Sequence, residues 1–266
     1  MPADDPGDDR HDADLELLVQ AARGAGEIAR RHFGTGPQSW DKGDGQGPVS
    51  EADLEIDAHL RDLLTGARPG YGWLSEESAD DGARLSRTRA FVVDPIDGTR
   101  AFLAGESTFS HSLAVVEAGT PVVAVVYVPL LDRLYAAGAG GGATCNGTGM
   151  SVSGRAGCDG ATVLGARSSF ADALWKGGCP PVSRAFRPSL AYRLALVAEG
   201  RFDAMVTLRP AWEWDIAAGA LLVTEAGGRV ADRHGRALRF NRPDARLDGV
   251  VAGAPAVAGE LLGRVV

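Results

Sequence analysis

Two aspartates close an apolar run in the stretch FVVDPIDGTRAF, residues 91–102. Asp94 and Asp97 flank Pro95, whose ring holds φ at about −65° and removes an N–H, so the turn between them is stiff. Both carboxylates can therefore face one point, together with the carbonyl between them. Two close negative charges repel each other unless a cation lies between them, and ligands that are all oxygen suit Mg²⁺ or Mn²⁺ rather than zinc.

The residues after the second aspartate could hold an anion. Gly98 allows a backbone to approach a ligand closely, and Thr99 adds a hydroxyl. The stretch TRAFLAG can begin a helix, whose first N–H groups are free to bind a group such as phosphate. Because Asp, Pro and Gly are also ordinary turn residues, the same stretch is compatible with a solvated turn. The turn alone does not choose between these two interpretations.

Four further acids favour the cation site. They are Asp53 in PVSEADLEID, Glu76 and Glu77 in LSEES, and Asp215 in WEWDIAAG. Taken singly, they fit a first-turn acid, a solvated pair and a helix N-cap. Their order along the chain, combined with the paired aspartates, indicates a shared site rather than four unrelated surface charges.

The apolar spacing predicts the elements that must position these acids. One helix should run from Leu15 until Gly34 ends it, and a second helix should cover residues 51–64. Buried strands are predicted at AFVVD and from Ser110 to Ala137, and a glycine-rich hairpin, GAGGGATCNGTGM, follows them. Beyond the hairpin, strand and helix patterns alternate, and the helix WDIAAGALLVTEAGG should have Gly227 at its C′ position.

Length and composition allow one large domain or two small ones with an ample core, since 45% of the 266 residues are hydrophobic. We predict a disordered acidic tail over residues 1–14, an N-terminal α+β domain over 15–150 and a C-terminal α/β domain over 151–266. The net charge of −8 argues against binding a nucleic-acid polymer through its phosphates. No apolar stretch reaches the ~18 residues of a membrane span, and the acidic N-terminus does not resemble a signal peptide.

The cysteines indicate a reducing compartment. Cys145, Cys158 and Cys179 are odd in number and have no CxxC spacing. This pattern favours free thiols over a disulfide framework or a zinc site, so the expected location is cytoplasmic.

The set of acids and the residues around them resemble the signature of the inositol monophosphatase superfamily, the Mg²⁺-dependent, lithium-inhibited phosphomonoesterases. The matching pieces are EADLEID, LSEES, VVDPIDGTRAF and WEWDIAAGALLVTEAGG, and the likeness runs from about Leu15 to Val266. It implies an α+β or α/β fold, layered as an α-β-α-β-α sandwich of the sugar-phosphatase type. It also implies an enzyme, usually a homodimer, that hydrolyses a phosphoric monoester of a small substrate.

The resemblance implies two or three Mg²⁺ ions per site, for which Mn²⁺ could substitute. The first ion would be held by Glu76, Asp94 and the carbonyl of Ile96. The second would be held by Asp94, Asp97 and Asp215, with Asp94 bridging the two ions. Glu76 would also help to hold a weaker third ion, which makes it part of the catalytic set.

The same resemblance implies the remaining catalytic roles. Asp53 and Thr99 would orient and deprotonate the attacking water. The backbone N–H groups of Gly98 and Thr99 would bind the phosphate of the substrate.

Substrate choice within the superfamily is set by the second half of the chain. Enzymes for inositol phosphates typically carry a Glu shortly before the WD helix, whereas this strand reads MVTLRPAWEWD. The form P-x-x-EWD and the phrase LALVAEGRFDA look more like the 3′(2′),5′-bisphosphate nucleotidase branch, which converts 3′-phosphoadenosine 5′-phosphate to AMP and phosphate. Ala101 departs from that branch, which usually has an acid there. Arg209 and Glu213 are the candidate substrate-binding residues. Arg209 fits contact with a second phosphate, and it equally fits a solvated charge at the end of a strand.

Other functions remain open at this point. The alternative substrates are inositol-1-phosphate, histidinol phosphate and fructose-1,6-bisphosphate. A metal-binding scaffold with a decayed site is disfavoured because every expected acid is intact. A dinucleotide-binding domain is disfavoured because the glycine-rich GAGGGATCNG lacks a surrounding βαβ unit.

Overall fold

The computed structural model describes residues 6–43 and 47–266, with side chains from Arg10 onward. Its helices over this part of the chain are α1 (Pro6–His32), α2 (Glu51–Ala67), α3 (Thr99–Leu103), α4 (Leu190–Ala198), α5 (Glu213–Glu225) and α6 (Pro255–Arg264). The strands of the first half are β1 (Ser39–Asp41), β2 (Pro48–Ser50), β3 (Gly72–Ser75), β4 (Arg89–Asp97), β5 (Ser110–Glu117), β6 (Thr120–Val128), β7 (Arg133–Gly138), β8 (Ala143–Cys145) and β9 (Thr148–Gly149). Those of the second half are β10 (Thr162–Leu164), β11 (Ser183–Ala185), β12 (Ala204–Thr207), β13 (Ala211–Trp212), β14 (Arg229–Ala231), β15 (Arg246–Leu247) and β16 (Val250–Gly253).

Two sheets form the frame of the molecule. The first has seven strands in the order β3-β4-β5-β6-β7-β8-β9, with β3 parallel to β4 and the rest an antiparallel meander. The second has five strands in the order β11-β10-β12-β16-β14. Because β4, β5 and β6 are buried on both faces, they read as nearly continuous apolar runs rather than alternating ones.

The layers alternate between helices and sheets, as the resemblance implied. Phe91 and Val93 of β4 pack against α1 and α2 on one face of the first sheet. Val92 points to the other face, into a core that contains α4, α5 and the near face of the second sheet. The far face of the second sheet packs against α6. The order is therefore α-β-α-β-α, which confirms the expected sandwich.

The central helix layer is held by close backbone packing. A Cβ added at Gly219 of α5 would lie 2.4 Å from the Cβ of Leu194 in α4. Only glycine therefore allows the two helices to approach this closely. This contact fixes α5, and with it Asp215, relative to both sheets.

The structure corrects two expectations about the ends of helices. Residues 6–14 are not a disordered tail, because α1 begins at Pro6; residues 1–5 lie outside the described residues. Asp215 is not an N-cap, because Trp212 holds that position and Asp215 lies in the first turn of α5. The helix ends as expected, with Gly227 adopting a positive φ of 81° just beyond it.

A buried ion network explains why the start of α1 is ordered. The carboxylate of Asp14 is fully buried and accepts hydrogen bonds from Arg68 at 2.7 Å, Tyr71 at 2.8 Å and Arg89 at 3.1 Å. Arg89 is the first residue of β4 and also binds Glu117 of β5. Asp14 thus ties α1 to the first sheet, which apolar periodicity alone does not predict.

The proposed division of the chain after residue 150 stays a prediction. The first sheet ends at Gly149 and the second begins at Thr162, which agrees with such a division. However, one core cluster joins Val92 of the first half to Leu194 and Val250 of the second. Within the described parts of the chain, no helix has the length and apolar character that crossing a membrane requires.

We expect Asp14→Ala to reduce the free energy of unfolding by about 3 kcal/mol, because it leaves two arginines without their buried partner. Urea unfolding followed by circular dichroism measures this change. The matched control is Asp244→Ala, which breaks the exposed pair with Arg246 and should cost less than about 1 kcal/mol. Equal effects of the two variants would show that the Asp14 network does not hold α1.

Candidate functional site

Three carboxylates meet at the end of β4 and the start of α5. One oxygen each from Asp94, Asp97 and Asp215 lies within 4.8 Å of the others. The ladder between β4 and β5 shifts register between Asp94 and Asp97, so that Pro95 and Ile96 bulge out opposite a single partner residue. The bulge places both β4 aspartates on the same side, which the stiff turn in the sequence predicted.

The charge of Asp94 has no partner among the residues that the structure describes. Its Oδ1 is buried and accepts no hydrogen bond. Burial, and then the neighbouring charges of Glu76 and Asp97, raise the pKa of Asp94 well above its usual range. An unpaired buried oxygen among like charges fits a divalent cation, which would neutralise them.

Asp97 is held from the other side by α4. Its Oδ2 accepts hydrogen bonds from the Ser189 hydroxyl at 2.7 Å and from the Ala191 N–H at 2.6 Å. Burial raises the pKa of Asp97 to about 6, although these bonds from the helix N-terminus oppose the rise. Because Oδ2 is used by α4, Oδ1 remains available to the carboxylate cluster.

Asp53 and Thr99 lie next to the turn as a hydrogen-bonded pair. The Thr99 hydroxyl is 3.1 Å from Asp53 Oδ1 and 3.1 Å from the carbonyl oxygen of Ile96, and it donates to one of them at a time. The other oxygen of Asp53 accepts from the N–H and the hydroxyl of Ser50, which caps α2. Burial raises the pKa of Asp53 to about 6, so the group is mostly ionised at neutral pH.

A lysine that the sequence did not single out binds the two glutamates after β3. Lys42 Nζ lies 2.8 Å from Glu76 and 2.7 Å from Glu77. Burial, and then the charge of Glu76, raise the pKa of Glu77 to about 7. Because Lys42 stands alone in a glycine-rich stretch, no periodicity or motif in the sequence marks it.

The acids open into a cavity of about 1090 Å³. The residues that line it near the acids include the predicted Glu76, Asp94, Ile96, Asp97, Gly98, Thr99 and Asp215. Gly98 has a φ of 102°, which a residue with a side chain would adopt only under strain. The predicted metal-site and phosphate-site residues thus line one cavity, with Glu76 paired to Lys42 outside the three-carboxylate group. Asp53 lies deeper and reaches this group through Thr99.

The cavity also has a cationic wall. Arg100, Arg187, Arg193 and Arg209 all line it. Arg193 is buried, and its guanidinium donates to the carbonyls of Arg187 at 2.5 Å and Pro188 at 3.3 Å. Burial lowers the pKa of Arg193 to about 10, which still leaves it charged. Arg209 was predicted from the sequence, whereas the other three come together only through the fold.

Glu213 does not line the cavity, contrary to the prediction that it binds substrate. Its carboxylate is fully buried and accepts from the N–H groups of Asn241 at 2.6 Å and Arg242 at 3.1 Å. Since residues two apart lie on opposite sides of a helix, Glu213 points away from the cluster that contains Asp215. Its role in the structure is to hold the loop at 241–242 against α5.

His111 holds the turn between the two β4 aspartates. It is fully buried in β5, and its Nδ1 lies 2.5 Å from the carbonyl oxygen of Pro95. Burial lowers the pKa of His111 to about 4, so the ring is neutral and Nδ1–H donates this bond. Its Nε2 has no partner among the described side and main chains, so the ring contributes one directed hydrogen bond at the cost of an unpaired nitrogen.

We expect His111→Leu to weaken Mn²⁺ binding roughly fivefold, because the turn loses one hydrogen bond worth on the order of 1 kcal/mol. His111→Asn should retain most of the affinity, since its amide nitrogen can replace Nδ1 as donor. Isothermal titration calorimetry with Mn²⁺ measures both variants.

The control for this experiment is Leu113→Ala, a core truncation on the same strand and the same face. It should lower thermal stability and leave Mn²⁺ affinity unchanged. If His111→Leu also leaves the affinity unchanged, the bond to Pro95 does not shape the cation site.

Comparison with known proteins agrees with this geometry. A model of the inositol monophosphatase family matches residues 11–266. An inositol-1-monophosphatase of Mesorhizobium japonicum is 39% identical over 237 residues, which cover 83% of this chain and 86% of that protein. A histidinol-phosphatase of Mycobacterium tuberculosis is 34% identical over 244 residues, covering 85% and 89%.

A solved structure supports the same assignment. The Thermotoga maritima IMPase superimposes with a TM-score of 0.82 at 27% identity, covering 94% of this chain and 96% of that one. Proteins of this family are metal-dependent phosphatases, and the carboxylate cluster at β4 and α5 is a site that could bind a metal ion. The chain belongs to the inositol monophosphatase family and is a phosphatase.

Proposed function

We propose that the protein is a Mg²⁺-dependent phosphomonoesterase whose substrate carries a second anionic group, with 3′-phosphoadenosine 5′-phosphate as the substrate. One observation carries this proposal: the acidic cation site and four arginines share one cavity. The acids would hold the cations that meet the phosphate to be cleaved. The arginines then remain for a second negative charge on the leaving group.

The donor set is all oxygen, which favours Mg²⁺ or Mn²⁺. Glu76, Asp94 and the Ile96 carbonyl would hold one ion, and Asp94, Asp97 and Asp215 a second. Divalent cations bound there would neutralise charge on the phosphate, help to ionise a water molecule and stabilise the leaving oxygen. The orphaned Oδ1 of Asp94 supports this assignment, because it would otherwise stay buried without a partner.

The chain itself supplies positioning and a proton acceptor. Asp53 is mostly ionised at neutral pH and accepts a hydrogen bond from the Thr99 hydroxyl. A water molecule can therefore give a proton to the Thr99 oxygen while the Thr99 hydroxyl gives its own proton to Asp53. Free N–H groups of Gly98 and Thr99, before the first turn of α3 closes, can donate to the phosphate oxygens. These groups orient the ester for attack in line with its leaving oxygen.

Inositol-1-phosphate is the second candidate substrate, and the Mesorhizobium relative supports it. A polyol leaving group requires hydrogen-bond acceptors. In the stretch where a glutamate would supply them, Thr207 and Leu208 are buried and Arg209 is exposed. The one acid among the cavity-lining residues beyond the cation site is Glu106. Charge therefore favours the bisphosphate.

Three further properties belong to this proposal. The family resemblance implied lithium inhibition and a homodimer, and the cysteine pattern predicted a cytoplasmic location. The free thiols of Cys145, Cys158 and Cys179 are compatible with a reducing compartment. Inhibition by millimolar Li⁺ and the mass in solution are direct measurements of the first two.

We expect Arg209→Ala to lower kcat/KM for 3′-phosphoadenosine 5′-phosphate roughly ten- to a hundredfold. Arg209 is exposed in the free protein, but the bound substrate would cover its guanidinium, so that the variant loses one desolvated charge-assisted bond. The loss on inositol-1-phosphate should be smaller. The assay measures phosphate release with Mg²⁺, and with excess chelator as the metal-free arm, on both substrates plus histidinol phosphate and fructose-1,6-bisphosphate. Arg61→Ala, an exposed arginine on α2, is the control and should change neither value.

Three outcomes of that assay would contradict the proposal. Equal losses on all substrates would show that Arg209 does not bind a second anion. A wild-type preference for inositol-1-phosphate would replace the nucleotidase assignment with the second candidate. Activity that survives exhaustive chelation would refute the metal dependence itself.

We expect Asp94→Asn to abolish activity while the fold stays intact, because the amide keeps the shape and loses the charge. Removing one of several repelling carboxylates should leave the melting temperature without metal unchanged or higher. The rise in melting temperature on adding Mg²⁺ should shrink. Asp159→Asn, an exposed acid away from the site, serves as the control in calorimetry, and an active Asp94→Asn enzyme would exclude a bridging role.

A further inference from the structure

One aromatic ring stands exposed on the cationic wall of the cavity. Phe186 lines the cavity, and 47% of its surface is exposed. It directly follows β11 and precedes Ser189, the N-cap of α4. Three residues span at most about 11 Å, so the Cα of Phe186 lies within that distance of the Cα of Ser189, whose hydroxyl binds Asp97.

The ring is supported from behind by a fixed cation. The guanidinium of Arg193 lies over the Phe186 ring, with its central carbon 4.5 Å from the ring centroid. That guanidinium is itself anchored by the carbonyls of Arg187 and Pro188. One face of the ring is thus covered by the positive charge of Arg193. This contact restricts rotation of the Phe186 side chain.

The other two aromatic residues that line the cavity are less exposed than Phe186. Trp212 and Trp214 stack on each other, with ring centroids 4.7 Å apart and planes inclined by 10°. The guanidinium of Arg246 lies over the Trp212 ring as well, at 5.4 Å from its centroid. Phe186 is therefore the cavity-lining aromatic residue with the largest exposed fraction.

We infer that Phe186, backed by Arg193, is a stacking platform for a planar nitrogen heterocycle on the leaving group of the substrate. This inference rests on the proposed function, and it adds which part of the substrate the wall recognises. Arg187 and Arg209 line the same cavity and would hold an anionic group attached to the same ligand. A purine nucleotide has both parts, whereas a cyclic polyol phosphate has no flat π-face to stack.

Binding of AMP and of ribose 5-phosphate tests the platform without any turnover. The two ligands share a sugar and one phosphate, and they differ in the base. Their inhibition constants are measured with Mg²⁺ against release of phosphate from whichever substrate the wild type hydrolyses. In the wild type AMP should bind about tenfold more tightly than ribose 5-phosphate, the effect of stacking one base.

Two variants separate stacking from apolar bulk. Phe186→Leu keeps an apolar side chain over Arg193 and should reduce the AMP advantage to about twofold or less. Phe186→Trp keeps a π-face and should retain the advantage. Leu131→Ala removes an equally exposed apolar side chain outside the cavity and should leave the ratio as in the wild type.

The inference is overturned if the wild type shows no AMP advantage, or if Phe186→Leu retains it in full. Either result leaves the bisphosphate assignment untouched, because that depends on the substrate panel and on Arg209. The opposite combination is also distinguishable. If the wild type prefers inositol-1-phosphate but still binds AMP more tightly through Phe186, the nucleotidase assignment is refuted and the stacking role of Phe186 is retained.

Discussion

The site depends on negative charge that is buried before any ligand arrives. Asp94, Asp97 and Asp215 are held together by strand β4 and helix α5 although they repel each other. Three rigid features hold them there. The bulged turn is fixed by Pro95 and His111, and the N-terminus of α4 binds Asp97. Close packing of α4 on α5 at Gly219 fixes the third aspartate. Other interactions in the fold offset the repulsion between these carboxylates. A bound cation would reduce that repulsion and so raise the free energy of unfolding.

The acids could be predicted from the sequence because short motifs fix their local geometry. Asp94 and Asp97 lie on either side of a stiff turn, and the resemblance to a known family placed Glu76 and Asp215 beside them. Their neighbours could not be predicted in the same way. Lys42 and His111 reach the site through contacts between elements distant in sequence, and nothing in their immediate surroundings marks them.

The errors share a physical cause. Glu213 was assigned to substrate because the form P-x-x-EWD resembles the nucleotidase branch, but helical geometry turns its side chain away from that of Asp215. The start of α1 was assigned to a disordered tail because it is acidic, yet Asp14 is neutralised by two arginines from later in the chain. In both cases a local pattern was outweighed by a tertiary contact, which composition and periodicity do not report.

The position of α5 between the two sheets has a consequence for how the protein unfolds. One face of this helix belongs to the same core as β4 and β6, and that core continues to β12 and β16. If one sheet unfolded, the apolar face of the other sheet would be exposed to water. The two halves of the chain should therefore unfold in one cooperative transition. We therefore expect the two halves to unfold together, and loss of either half to separate Asp215 on α5 from Asp94 and Asp97 on β4.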